Sequence, residues 1–208
     1  MKLLDCSINF RDILGKIIVI KDKTIIERMD KKPLDIDSDS ILTYCYIDNQ
    51  AGITFAYLCA YNINNKKKFV EFDKIAKIIT ILRYDSVTDF EIEIINSNHT
   101  GEKILDDYIE SIDKHYNNNE NIKEFRKYID IDHLRAREFP DDIRVIVIKE
   151  GFQSEEMYVK LWKKENNKIF GKLLNEPFQS LGVHLDDIIE LNFLKDDEGK
   201  TICFHKCL

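Results

Sequence analysis

Between Ile17 and Ile95 the apolar residues arrive in short runs rich in β-branched and aromatic side chains, each closed by polar or turn-forming residues. Short runs of this composition, bounded by turn-forming residues, read mainly as strands across the first half of the chain. Residues 17–20 and 24–29 flank Lys21-Asp22-Lys23, the composition of a hairpin turn. Residues 31–40 are polar, carry Pro33 and read as a loop. Residues 41–47 and 53–61 are joined by Asp48-Asn49-Gln50-Ala51-Gly52, a second hairpin. Residues 69–72 and 90–95 are shorter strand candidates, and 75–82 fits a helix or a buried strand equally.

After Asn98 the period changes. Ile104, Leu105, Tyr108, Ile109, Ile112 and Tyr116 recur at helical spacing, with Asp106, Asp107, Glu110 and Asp113 on the other face. Thr100 is placed to cap this helix, with Glu102 in its first turn. Ile122, Phe125, Tyr128 and Ile129 mark a second helix. The final third returns to short strands at 144–149, 157–163, 168–173, 187–194 and 201–206. Asn166-Asn167 and Asp196-Asp197-Glu198-Gly199 supply turns between them. Even spacing of this kind builds a small bent sheet or partly open barrel. The expected fold class is therefore α+β: a mixed α/β domain over 1–130, then a β-rich module over 140–208. The charged stretch 130–142, with Pro140, reads as the connection between them.

The hydrophobic share of 44% is enough for a buried core. The net charge is −7, which weighs against binding to phosphate backbones and either suits a basic protein partner or simply keeps the chain soluble. The residues after Met1 hold no apolar signal core, and no apolar run approaches the ~20 residues that span a bilayer. Five cysteines, at 6, 45, 59, 203 and 207, make no disulfide framework. A cytoplasmic protein with reduced thiols is the expectation.

Short catalytic motifs are missing from the sequence. Its seven glycines form no G-x-G, so neither a dinucleotide fingerprint nor a Walker loop is present, and no cofactor is expected. No G-x-S-x-G elbow occurs either. Asp35, Asp37 and Asp39 alternate like a calcium loop, but Ser40 and Tyr46 stand where the loop needs Gly and a bidentate acid. Cys203, His205 and Cys207 share one face of a strand, yet the two thiols then lie ~13 Å apart, which favours a packed strand over a metal site. His133 falls in a charge-dense stretch that reads as solvated. Asp186 and Asp187 point to opposite strand faces and make no dyad.

Glu156-Met157-Tyr158-Val159, then Phe170-Gly171-Lys172-Leu173-Leu174-Asn175-Glu176-Pro177, then Leu185-Asp186-Asp187-Ile188-Ile189 form a constellation over the last third. It resembles the bacterial family known as domain of unknown function 2314, whose pattern runs E-x-M-W-V, G-x-L-x-N-x-P and G-D-x-V. Tyr158 stands where that family has Trp, and Asp186 where it has Gly. The resemblance implies a compact β-rich module and carries no catalytic residues with it. Gly171, Asn175, Pro177 and Asp187 read as architectural: Gly171 as a bulge or bend, and Pro177 as a strand stop.

The leading functional expectation is a non-enzymatic interaction protein, of the immunity type that neutralises a toxin. Alternation puts Met157, Val159 and Leu161 on a core face and Tyr158, Lys160 and Trp162 on an outer interaction face. Two rivals stand beside it. One is a hydrolase with a dispersed site drawn from Tyr158, His184, Asp187 and His205. The other is a nucleic-acid-binding barrel using Lys160, Trp162, Lys163, Lys164 and Lys168.

Overall fold

The computed structural model describes residues 2–3, 8–22, 37–69, 81–117 and 119–207. The strand expected at 24–29, and all but the last two residues of the ambiguous stretch 75–82, lie outside the described residues. The chain is α+β and forms two compact units, Met1–Asn118 and Asn119–Leu208. Among the described residues no helix is long and apolar enough to cross a membrane.

The first unit is an antiparallel sheet. Strands β4 (Lys67–Phe69), β3 (Gly52–Asn62), β2 (Ser40–Asp48), β1 (Ile17–Lys21) and β6 (Glu91–Ile95) lie side by side in that order. A further short strand, β5 (Ile81–Arg83), pairs with β3 as well. One face packs Ile17, Val19, Leu42 and Tyr44 against Leu105, Ile109 and Ile112 of helix α3 (Lys103–Tyr116). The other packs Ile18, Ile20, Ile41 and Phe55 with Ile13 of α1 (Phe10–Ile13) and with Tyr84 and Val87 of α2 (Tyr84–Val87). Burial on both faces is why Ile17-Ile18-Val19-Ile20 is a continuous apolar run rather than an alternating one.

Pairing shifts once along β3. Leu42 faces Cys59 and Thr43 faces Tyr57, which leaves Leu58 as the extra residue of a bulge. Before the bulge Ala56 joins the α3 face; after it Cys59 and Tyr61 do. The start of α3 departs from the sequence expectation. Glu102 is the N-cap residue, and its side chain caps nothing. Asp106 instead reaches back, its Oδ1 accepting from Thr100 N at 2.6 Å and from Thr100 Oγ1 at 2.8 Å. A carboxylate in the first turn can satisfy upstream donors as well as a hydroxyl can satisfy downstream ones.

The second unit is a closed barrel. Its strands are β7 (Asp142–Ile148), β8 (Glu155–Glu165), β9 (Lys168–Leu173), β10 (Ile188–Lys195) and β11 (Thr201–Lys206), in the order β10-β11-β7-β8-β9. Consecutive strands pair antiparallel, and β11 closes on β7 in parallel. A meander with an odd number of strands can close in no other sense, because its first and last strands run the same way. Asn166 and Asn167 turn β8 into β9 with φ of 49° and 64°, the double positive φ of a tight hairpin turn. Val145, Met157, Val159, Leu161, Leu173, Ile189 and Leu191 fill the interior.

Gly171 faces that interior. A Cβ there would lie 3.0 Å from Val159 Cβ and Cγ2 and from Leu191 Cδ1, so a side chain here would crowd both neighbours. The bulge expected near it sits across the ladder on β8, where Leu161 faces Gly171, Lys163 faces Phe170, and Trp162 is the extra residue. Gly171→Ala is expected to lower the barrel's stability by about 1–3 kcal/mol through overpacking. Urea unfolding followed by the fluorescence of Trp162 measures this, and an unchanged midpoint would show that the barrel yields freely.

The unit boundary falls earlier than the expected 130–142 connection. Helix α4 (Glu120–Phe125) and a 3₁₀ turn (Ile129–Leu134) belong to the barrel, with Phe125, Ile131 and Leu134 in its core. Arg135 and His133, read as solvating a linker, are internal ties, and Arg126 adds another. Arg126 binds Asp141 through both Nε–Oδ1 at 2.9 Å and Nη2–Oδ2 at 2.7 Å. Arg135 donates to the carbonyls of Phe125, Tyr128 and Pro140, which closes the C-terminal end of α4. His133 Nε2 donates to the Thr201 carbonyl at 2.8 Å.

Candidate docking end of the C-terminal barrel

One end of the barrel is formed by the β7–β8 turn and by the long connection between β9 and β10, residues 174–187. Long loops expose backbone groups and must find partners for them. This one is braced by four polar side chains. Asn175 Oδ1 accepts the Tyr158 N–H at 2.9 Å, anchoring the loop's first turn to β8. Glu155, at the start of β8, accepts from Phe178 N and Gln179 N, both at 2.8 Å, and from Gln179 Nε2 at 3.0 Å. Glu176 accepts from Leu185 N at 2.7 Å and pairs with His184 Nδ1 at 2.7 Å. Asp187 Oδ2 accepts the His184 N–H at 2.7 Å and ends the loop.

The titrations follow from this bracing. The Phe178 and Gln179 donors hold the Glu155 carboxyl below its ordinary value. The Leu185 amide, then His184, do the same for Glu176. The Glu176 carboxylate in turn raises the His184 imidazole. Lys149 ties the opposite side of this end: its Nζ donates to the Ser180 carbonyl at 3.0 Å and lies 5.0 Å from the Phe152 ring centroid.

What the bracing presents is Phe178, 100% exposed, directly after Pro177. Phe152 and Ile148 lie exposed at the same end, and Leu174, Leu185 and Ile188 are exposed on the loop and at its junction with β10. Tyr158, beside Asn175, is 42% exposed. Phe178 is not among the residues that sequence pattern singles out. The available signal was an aromatic stranded in the polar run Asn175-Glu176-Pro177-Phe178-Gln179-Ser180, where no strand or helix could bury it.

The other expected site residues are distributed as follows. Met157, Val159 and Leu161 face the core, while Tyr158 and Trp162 point outward, Trp162 at 44% exposure. Lys160 is not an open contact on that face: its Nζ lies 3.7 Å from Asp142 Oδ1. Of Tyr158, His184, Asp187 and His205, the loop brings two together, Asp187 Oδ2 accepting the His184 backbone N–H at 2.7 Å, whereas His205 Nδ1 donates to the Glu190 carbonyl at 2.9 Å. The lysines around Trp162 are engaged as well: Lys163 with Glu165 at 2.7 Å, Lys168 with Glu190 at 2.7 Å, and Lys164 with the Tyr128 hydroxyl at 3.1 Å. Cys203 and Cys207 are buried in the barrel core, and burial pushes the Cys203 thiol up to about 12. Among the described residues no group of three or more His, Cys, Asp or Glu side chains is placed to hold a metal ion. Asp39 accepts from Ser40 Oγ at 2.8 Å and Ile63 N at 3.0 Å, tying the start of β2 to the turn after β3.

Comparison with protein-family models, with curated proteins and with solved structures returned no match.

Proposed function

We propose that the chain acts by binding another protein rather than by catalysis, and that the partner docks on the barrel end carrying Phe178. The observation that carries this reading is the contrast at Phe178 itself. Its backbone is fixed by the Glu155 carboxylate, while its ring is wholly in water. An exposed ring adds nothing to folding, yet three bonds to one carboxylate hold residues 178 and 179 in place. A pre-positioned aromatic is the anchor that protein interfaces use, because little ordering entropy remains to be lost on binding. A basic partner suits the net charge of −7, and a toxin neutralised by this chain is one such partner, since opposite charge speeds encounter. The engagement of Lys160, Lys163, Lys164 and Lys168 with partners of their own weighs against a nucleic-acid surface around Trp162.

The test compares the wild-type chain with Phe178→Ala as bait in extract from the source cell. Phe178→Ala is expected to change stability by less than about 0.5 kcal/mol, as exposed substitutions do. It should also lose one wild-type-bound protein, whose capture weakens between about 50 and about 300 mM salt. Identical capture by both baits would remove Phe178 as the anchor. Capture that does not respond to salt would remove the basic partner.

A further inference from the structure

The opposite end of the barrel carries a second feature. Between the 3₁₀ turn and strands β9 to β11 lies a cavity of about 390 Å³, lined by Tyr128, Ile129, Ile131, Ile169, Phe193 and Leu194 with Asp130, Lys195 and Thr201 at its polar side. Along β10 it is six residues from Ile188 to Leu194, about 20 Å from the Phe178 end. We propose that this cavity binds a small monocarboxylate with an apolar tail.

The apolar half of the argument is exposure. Ile129 is 72% and Leu194 60% exposed, and both border the same cavity, whose volume is in the lower range for small-molecule sites. Scattered exposed aliphatics are ordinary; two that flank one concave, mostly apolar site mark surface that a ligand would cover.

The polar half is a count of protons. Lys195 Nζ donates to Asp130 Oδ2 at 3.1 Å and to Thr201 Oγ1 at 2.8 Å, so one of an ammonium's three donors has no acceptor among the described residues. Thr201 is buried, and its hydroxyl accepts from Lys195 while its own proton goes to no acceptor among the described residues. Two unspent donors, one cationic, at the edge of an apolar cavity match the two oxygens of a carboxylate. Asp130 is the acid facing Lys195, and it is mostly in solvent. A surface pair of this kind contributes about 0–1 kcal/mol, so Asp130 swings aside at little cost when a ligand carboxylate takes its place.

The probe is octanoate, titrated calorimetrically into the full chain, with 1-octanol as the matched tail lacking the carboxylate. Octanoate is expected to bind saturably, one per chain and at least about tenfold tighter than octanol, the difference set by charge-assisted hydrogen bonds. Lys195→Met should erase that preference, leaving both probes equal, and Leu194→Asp should weaken both. Each substitution is at an exposed position, and circular dichroism confirms the fold of each variant. No saturable octanoate binding by the wild-type chain, equal binding of the two probes, or an octanoate affinity unchanged in Lys195→Met would each overturn the proposal.

Discussion

Arg126→Ala is expected to destabilise the second unit by about 3–5 kcal/mol, the cost of leaving a buried charge without its partner. The Arg126–Asp141 pair is bidentate, and each side chain is only 8% exposed. Asp141 would then keep its negative charge in a site that water barely reaches. The pair also joins the residue after α4 to the residue before β7, so its loss releases a helix whose Phe125 lies in the barrel core. Urea unfolding monitored by Trp162, the only tryptophan, isolates this unit. Replacing both partners, Arg126→Met with Asp141→Leu, should cost much less than Arg126→Ala alone, because no unpaired charge remains. A loss below about 1 kcal/mol for Arg126→Ala would mean that Asp141 finds water or another donor, and the tie would be ornamental.

The parts of the fold that could be read from the sequence are those where one physical pressure acts alone. Strands β7 to β11 alternate core and solvent residues, so Met157, Val159 and Leu161 announce the inner face directly. Helix α3 shows its stripe through Leu105, Ile109 and Ile112 for the same reason. Where two pressures compete, the reading failed. Arg135 and His133 look like solvated polar groups because burying a charge is costly, and only the structure shows the carbonyls that offset the cost. The second unit begins at Asn119. The bulges at Leu58 and Trp162 leave no mark in composition, since an extra residue in a ladder is defined by its partner strand. Phe178 escaped because strand and helix patterns describe what is buried, and its ring is left in water.

Asp142→Asn is expected to act in the opposite direction from Arg126→Ala, raising the stability of the same unit at pH 7.5 by about 3 kcal/mol. Asp142 opens β7 next to Asp141, and its Oδ1 is buried with no hydrogen-bond partner. Burial lifts its carboxyl from 3.8 to about 6; Lys160, at 3.7 Å, opposes the rise, and the neighbouring Asp141 adds to it. At about 1.4 kcal/mol for each tenfold change in proton affinity, that rise corresponds to about 3 kcal/mol. The sign follows from proton counts. Between about 6 and 3.8 the folded chain holds a proton on Asp142 that the unfolded chain has released, so acidification stabilises the fold across that window. Above about 6 both states are ionised and the full cost of the buried charge is present; below 3.8 both are protonated and it is gone. Asn carries no charge at any pH, so the variant's advantage should be constant above about pH 6, shrink through pH 5 and vanish near pH 4. Glu155 and Glu176, whose carboxyls are held low, are common to both proteins and cancel in the comparison. Urea melts of the two proteins at about pH 4, 5, 6 and 7.5 give the difference directly. An advantage that stays constant down to pH 4, or an Asn variant less stable at pH 7.5, would show that Lys160 already compensates Asp142 and that its buried oxygen carries no penalty.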